Sequence, residues 1–472
     1  GGEAAAAPPA AAPPTPAPQS RLSPFAGRVG SVFATRVIQF GLTLLTTFLV
    51  ARLLGPDGKG VYSLVLLMLT TLFALGQFGL PSATVFFSGR GRSMASLQRL
   101  ALTLTVAASA VLVVIALLLL PSLEQNLLRA APDDLLRLVL LGVPLQFASA
   151  LAGSILYGRQ RIRTYNLILI GQTAALLVLS VVLVGVLRLG PRGAVVAYLV
   201  TNLASTTAVI WEVRRAAADE RASDAGRAPV GAAEFLRYGA QLYPANVTSF
   251  FNYRADVFLL SWLLVAPPGQ PDAVRVAIGL YSLAVNFAEV TFYVPDSVST
   301  IFYPRVAASD RAEADRSVAG VTRAAMLATL AAAAAIVPAA FVMVELFLRA
   351  YRDSLPAMLI LMPAILGLSL SKVLASYVSG LGSPLPVAAA ASTAMVVNIG
   401  ANLLLIPVWG IYGAATASLI SYSIHAAIMV TIARHYSRLP LRAFLLPTTD
   451  DARRLSGAVL GALQGAAAAV RR

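Results

Sequence analysis

Long apolar runs, separated by short polar segments, constrain the fold of this chain more than any other feature of its sequence. The first two runs, residues 29–53 and 61–87, are each long enough to cross about 30 Å of hydrocarbon as a helix. Between them, the tight-turn signal Gly55-Pro56-Asp57-Gly58 predicts a helical hairpin. We therefore expect the folded part of the chain to begin with two membrane-inserted helices.

The composition supports membrane insertion of the whole chain. Of its 472 residues, 58% are hydrophobic and only 12% are charged, whereas soluble domains carry about 25% charged residues. The net charge of +15 does not indicate a nucleic-acid partner, because the basic residues cluster in the short segments between apolar runs. With no cysteine and only two histidines, we expect no disulfide, no metal site and no cofactor.

Twelve apolar runs predict an all-α polytopic membrane protein of about twelve transmembrane helices. A more polar segment of mixed charge divides the runs into two series of six. After the first hairpin, the runs are residues 97–121, 135–157, 165–187, 193–213, 238–265, 277–303, 318–348, 355–381, 386–408 and 410–434.

The same pattern predicts the domain boundaries. Residues 1–24 are an Ala/Pro-rich lead that we expect to be disordered. A six-helix lobe follows over 25–213, then a cytoplasmic linker over 214–231 and a second six-helix lobe over 232–434. The basic tail, 435–472, contains a short Ala/Gly-rich run flanked by arginines, which is typical of an interfacial helix rather than a thirteenth crossing.

Arginine and lysine predict the orientation in the membrane. With a cytoplasmic N-terminus, the inside segments hold about 24 basic residues and the outside segments about 9. This bias predicts that both termini lie in the cytoplasm. We expect membrane lipids to surround the chain and the protein to act as a monomer.

The two halves of the chain repeat each other. Gly60-Val61-Tyr62-Ser63-Leu64 is followed 219 positions later by Gly279-Leu280-Tyr281-Ser282-Leu283. Gly190 and Gly193 match Gly410 and Gly413 at an offset of 220, and Gly158 matches Gly380 at 222. Because each half has six helices, both repeats enter the membrane in the same direction. The pattern predicts two lobes related by a pseudo-two-fold axis along the membrane normal, with a cleft between them.

Several motifs stand out in the two halves, and they lie at 53–62 (Leu-Leu-Gly-Pro-Asp-Gly-Lys-Gly-Val-Tyr), 78–83, 255–260, 279–282, 294–295, 302–305, 402–407 and 410–415. These motifs resemble those of one family of membrane proteins, the polysaccharide biosynthesis or O-antigen-type flippases. This family belongs to the multidrug/oligosaccharidyl-lipid/polysaccharide exporter superfamily, and the resemblance runs over residues 29–434. It implies that the chain lies in the inner membrane of a bacterial cell.

The resemblance implies two six-helix lobes that form a V and open alternately to each side of the membrane. Members of this family typically move undecaprenyl-diphosphate-linked sugars outward through a cavity lined by cationic side chains. Because the family's substrate contacts vary, the resemblance implies buried cations but does not identify them.

Arg36 and Arg254 are the leading candidates for such cations. A guanidinium at the depth of Arg36 costs roughly 2.5–3.5 kcal/mol, so it should face an internal cavity rather than lipid. Arg254 lies 218 positions later, in the first helix of the second half. The pair can bind a diphosphate across the cleft, or each arginine can be neutralised by a structural partner such as Glu289 or Asp296.

The remaining candidates are Lys372 and three carboxylates. Lys372 either contacts the substrate or balances Glu289 or Asp296. These two acids lie seven apart on one face of a helix, where they can bind a coupling ion or form ion pairs. Asp256 lies two positions from Arg254, hence on a different helical face, and is a poor partner for it within that helix.

These features favour an alternating-access flippase that moves a polyprenyl-diphosphate-linked oligosaccharide from the inner to the outer leaflet. The alternative is a cation-coupled multidrug antiporter of the same superfamily, which would use a buried carboxylate. The first six runs contain Arg36 and no acidic residue within their apolar cores, which disfavours this alternative. The short outer segments and the missing nucleophile–base or metal pattern argue against a membrane enzyme.

Overall fold

The computed structural model describes residues 22–224 and 226–445, without the side chains of residues 22–38, 40, 221–223, 242, 245 and 308. Over these ranges the chain is helical and contains no strand, which confirms the predicted all-α membrane fold. Besides a π-helical stretch, Val181–Val186, and a 3-10 turn, Arg349–Tyr351, the elements are α1 (Leu22–Gly76), α2 (Leu80–Gly89), α3 (Met94–Gln125), α4 (Asp133–Val139), α5 (Gly142–Gly158), α6 (Ile162–Ser180), α7 (Gly190–Asp224), α8 (Ala232–Leu263), α9 (Ala273–Ala308), α10 (Arg311–Phe347), α11 (Ser354–Gly380), α12 (Pro384–Ser437) and α13 (Leu441–Leu445).

Nine helical stretches in the described ranges are long and apolar enough to cross a membrane. Two of them belong to α1 and α12, which each cover two of the predicted runs. The 32-residue α8 occupies the seventh predicted run without standing among the nine. The count of twelve crossings therefore stays a prediction.

α1 and α12 are each broken at one glycine. Gly55 has φ 66° and Gly410 has φ 56°, in the left-handed region that residues with a Cβ rarely adopt. Pro56 follows Gly55 at once, where its fixed φ and missing N–H suit the start of a new helix. The predicted turn of the first hairpin is thus reduced to one non-helical residue.

Two predicted runs are interrupted in the structure. Run 61–87 is split between α1 and α2, because Phe78 and Gly79 adopt positive φ. Gly79 passes so close to Gly239 of α8 that a Cβ on it would overlap the Gly239 carbonyl oxygen. Run 135–157 is likewise divided between α4 and α5.

The predicted linker, 214–231, is helical in its first part, since α7 continues to Asp224. The Asp224 carboxylate accepts hydrogen bonds from the Met94 N–H at 2.7 Å, the Ser93 hydroxyl at 3.0 Å and the Ala95 N–H at 3.2 Å. The helix therefore docks on the start of α3. Most of the predicted lead and the predicted interfacial helix lie outside the described residues.

Repeat-related residues make matching contacts in the two halves. At the crossing of α1 and α9, Gly60 lies against the backbone of Arg275, and Gly279 lies against that of Pro56. A Cβ on Gly158 would lie 2.7 Å from the Val85 carbonyl oxygen, and one on Gly380 would lie 3.2 Å from that of Tyr303. These paired contacts support the pseudo-two-fold arrangement, which stays a prediction.

Candidate substrate cavity

A cavity of about 500 Å³ lies among α8, α9, α11 and the second part of α12. The sequence predicts a cleft between the two halves. Among the described residues, however, only Thr70 of α1 brings the first half to the wall of this cavity. Four lining residues are charged, and six are aromatic. The charged ones are Arg254, Asp256, Glu289 and Asp296, and the aromatic ones are Phe250, Tyr253, Tyr281, Phe292, Tyr293 and Tyr422.

Arg254 on α8 forms a two-pronged ion pair with Glu289 on α9. Its Nη1 lies 3.1 Å from Glu289 Oε1, and its Nη2 donates to Oε2 at 3.3 Å. This fork is the strong form of a guanidinium–carboxylate contact. The two side chains are 38% and 36% exposed, so a molecule in the cavity can reach both.

Asp256 is buried two positions further along α8 and has different partners. It accepts hydrogen bonds from the Tyr281 hydroxyl and, at 2.8 Å, from the Val257 N–H. The carboxylate that pairs with Arg254 is instead Glu289. A buried carboxylate needs such donors, because an unsatisfied one would cost the full desolvation penalty.

Lys372 on α11 does not itself line the cavity. It forms an ion pair with Asp296 on α9, and its Nζ lies 4.4 Å from the centroid of the Phe292 ring. Both Asp296 and Phe292 belong to the wall. Lys372 therefore acts on the cavity indirectly, through its charge and through its contacts with Asp296 and Phe292.

For Arg254, the sequence left cavity lining and structural pairing as alternatives, and the geometry has both features. Arg254 faces the cavity and is also neutralised by Glu289. Arg36 belongs to α1, but the structure does not describe its side chain. The predicted pair of Arg36 and Arg254 across a cleft therefore stays a prediction.

The two halves contact each other at both ends of the helices. At the end that carries the linker, Phe86 stacks on Tyr238 with 4.2 Å between centroids, and Arg92 pairs with Glu234 at 2.9 Å. At the opposite end, Arg275 pairs with Asp57 at 2.5 Å. The two halves are therefore joined at both ends, while the cavity leaves the wall residues Asp296 and Tyr293 about half exposed.

Sequence reasoning missed the aromatic part of the site. Tyr281 lies within the repeat motif at 279–283, which we used only to align the two halves. Tyr253 lies next to Arg254, and its ring centroid is 6.1 Å from those of both Phe292 and Tyr422. An aromatic residue in an apolar run carries no signal of its own, because most such residues pack in the core or face lipid.

Comparisons with solved structures show the fold. The chain is similar to the lipid II flippase MurJ in an inward closed conformation, at 13% identity and TM-score 0.69, over 91% of this chain and 93% of that one. It is also similar to an inward-facing MATE family multidrug resistance transporter of the MOP superfamily, at 16% identity and TM-score 0.63, over 86% and 98%. A MOP superfamily transporter from Pyrococcus furiosus, described by the reverse polarity of its binding pocket, matches at 14% identity and TM-score 0.52, over 86% and 94%.

Comparison of the sequence with known proteins shows the family. No curated protein sequence matched the chain. The family model described as polysaccharide biosynthesis protein matches residues 27–309, more than half of the 472 residues. Its helices and structural neighbours show the fold of a multi-pass membrane protein that is similar to MOP superfamily transporters, and the family match shows that the chain belongs to the polysaccharide biosynthesis protein family.

Proposed function

We propose that this protein is a flippase that moves a lipid-linked saccharide from the inner to the outer leaflet by alternating access. The observation that carries the proposal is the cavity enclosed by membrane helices, in which Arg254 is held by a carboxylate that an incoming head group can replace. The family match and the similarity of fold to a lipid II flippase support it. In this proposal the lipid is a polyprenyl diphosphate, and both termini face the cytoplasm of a bacterial cell.

The exchange of partners at Arg254 supplies the binding step. In the empty carrier, Glu289 satisfies the guanidinium, so the charge is never left alone in the membrane. A head group with paired oxygens can take the place of Glu289 in the same fork geometry. The pair reforms when the head group leaves, which lets the empty carrier return.

The membrane potential adds a driving force for outward movement. A diphosphate carries about two negative charges, each worth about 2.3 kcal/mol per 100 mV. Moving it out of a negative interior is therefore downhill by roughly 4–5 kcal/mol per 100 mV. Flipping in vesicles should slow when the potential is collapsed with an ionophore.

The charges of the cavity favour a second candidate, a cation-coupled multidrug antiporter. Three carboxylates line the cavity, but only one guanidinium does among the described residues, which suits a cationic cargo or a coupling ion. The MATE transporter with a similar fold supports this alternative. In it, Asp256, Glu289 and Asp296 would bind the cation.

The test offers both kinds of cargo to the full chain reconstituted in liposomes. We expect movement of a fluorescent polyprenyl-diphosphate-linked saccharide, and a loss of about tenfold or more in Arg254→Ala, since a charge-assisted contact is worth at least about 1.4 kcal/mol. Arg352→Ala is the matched control, because that arginine pairs with Glu345 away from the cavity. Transport of an organic cation, with no movement of the lipid, would favour the antiporter.

A further inference from the structure

We infer that this cavity takes the saccharide part of the head group and selects neutral or amino sugars over acidic ones. This inference rests on the proposed function and deepens it by naming what the cavity recognises. It arises from three features of the wall, namely its rings, its paired polar groups and its charge.

Three of the rings form a connected cluster in the wall. Six of the seventeen lining residues are aromatic, and the Tyr253 ring centroid lies 6.1 Å from those of both Phe292 and Tyr422. The apolar C–H faces of a sugar ring gain contact and lose water against such a surface. A diphosphate has no apolar face, so these rings add nothing to its binding.

The polar groups occur as neighbouring donors and acceptors. Arg254 donates beside the oxygens of Glu289, and both side chains are more than a third exposed. A sugar hydroxyl donates one hydrogen bond and accepts others, so it can bind both members of such a pair. An ionised phosphate oxygen only accepts, so it can bind Arg254 only in place of Glu289 and gains nothing from the carboxylate.

The charge of the wall disfavours acidic sugars. Asp256, Glu289 and Asp296 outnumber the lining cation Arg254, and even with Lys372 paired to Asp296 one negative charge of this described set remains unbalanced. A carboxylate on a sugar would meet like charges in surroundings where water screens them poorly. A protonated amino sugar would gain from the same charges.

The size of the cavity fits a short saccharide. A volume of about 500 Å³ is typical of sites for small molecules, whose range is about 300–1,000 Å³. A long polymer does not fit, so the cavity suits a single repeat unit or less.

The first experiment measures binding without any transport. The purified full chain in detergent is titrated with a soluble disaccharide of neutral N-acetylhexosamines and with the matching disaccharide that contains a hexuronate. We expect the neutral disaccharide to bind about tenfold more tightly than the acidic one. Equal affinity for the two disaccharides would overturn the inference.

Two sets of variants keep the inference open to contradiction. The double variant Glu289→Gln with Asp296→Asn should reduce the preference for the neutral disaccharide to about threefold or less. Glu345→Gln, which changes the surface pair with Arg352, should leave this preference unchanged.

Tyr293 is half exposed in the wall, so its replacement should not disturb folding. Tyr293→Ala should weaken binding of the neutral disaccharide, and Tyr293→Phe should retain it. If Tyr293→Ala and Tyr293→Phe bind the disaccharide with the same affinity, ring stacking at this position is ruled out.

The binding and flipping results separate the two claims. If the neutral disaccharide binds as expected but no lipid-linked saccharide moves in liposomes, the proposed function fails and the saccharide site stands. If lipid-linked neutral and acidic saccharides move equally fast, the function stands and the selectivity is wrong.

Discussion

At positions related by the internal repeat, the second half of the chain carries carboxylates where the first half carries neutral side chains. An offset of 219 pairs Gly60 with Gly279, and the same offset pairs Glu289 with Thr70 and Asp296 with Gln77. Thr70 is the residue that brings the first half to the cavity wall, and its hydroxyl donates to the Leu66 carbonyl oxygen of its own helix at 3.0 Å. The two halves thus build similar helix crossings but an asymmetric site.

This difference teaches that packing and charge follow separate rules in the two halves. The shared glycines allow helix backbones to approach closely, and any larger side chain there would clash. One half can supply all the charges of the wall, because a molecule in the cavity interacts with the sum of the charges around it. The predictions that follow test the shared scaffold and the asymmetric site in turn.

The largest effect is expected at the shared crossing. Because a Cβ at either position would overlap a backbone carbonyl, Gly60→Ala and Gly279→Ala should each destabilise the fold by about 3 kcal/mol or more, measured as yield of monodisperse protein and midpoint of thermal unfolding. Gly400→Ala is the control, since nothing lies within 4 Å of a Cβ there. Wild-type stability in both crossing variants would contradict the close contact of α1 and α9.

A second effect separates two tyrosines related by the repeat. Tyr281→Phe should lower the free energy of unfolding by about 1–3 kcal/mol, because buried Asp256 loses its hydroxyl donor. Tyr62, the repeat counterpart, is buried beside Lys59 without an ion pair or hydrogen bond to a carboxylate in the described chain. Tyr62→Phe should therefore have little effect. Equal losses of stability in the two variants would mean that Asp256 does not depend on Tyr281.

The third prediction removes the asymmetry of charge. Thr70→Glu places on the first half the carboxylate that the second half has at Glu289, and should slow flipping of a lipid-linked diphosphate by about threefold to tenfold through like-charge repulsion. Thr70→Gln, similar in size and neutral, is the control. A slowing of the same size in both variants would indicate a steric effect and not an electrostatic one.

The smallest effect compares the starts of α3 and α10, the third helix of each half. Each helix has its own cap, since Asp310 before α10 accepts from the Glu313 N–H at 2.7 Å and Ser93 before α3 accepts from the Ser96 N–H at 3.4 Å. The start of α3 also binds the distant Asp224. Asp224→Ala should cost about 0.5–2 kcal/mol, as loss of a cap does, and the midpoint of thermal unfolding reports it. A variant as stable as wild type would show that α3 does not need the α7 contact.

This contact also has a predicted pH dependence. Burial by itself raises the pKa of Asp224, but its hydrogen bonds to Met94, Ala95 and Ser93 outweigh burial and hold the pKa below its usual value. The contact therefore stabilises the fold fully above the unfolded pKa of about 3.9 and is lost as the pH falls through the lower folded pKa. Acid unfolding of wild type and Asp224→Ala should converge in that range.

Much of the architecture could be predicted from the sequence because its causes are local. Apolar runs of sufficient length, the Gly55-Pro56 break and the Gly410 break are each written within a few residues. The split at Phe78 and Gly79 was not predicted, although Gly79 and Pro81 are local signals for it. The sequence could not show the close approach of Gly239, which is far away in the chain. The cavity residues Arg254, Glu289 and Asp296 could be proposed from their charge alone, since a charge in an apolar run demands a partner.

What the sequence by itself determined is the membrane class, the order of the helices and the small set of charges that must be satisfied among them. Only the tertiary structure decided that Glu289 holds Arg254, that Asp296 holds Lys372 and that aromatic rings from three helices surround them. The physical reason is that hydropathy and turn chemistry act over a few residues, whereas ion pairs and ring contacts depend on which helix faces meet. Helices of similar composition can meet in many ways, and the packing of the whole bundle selects one of them.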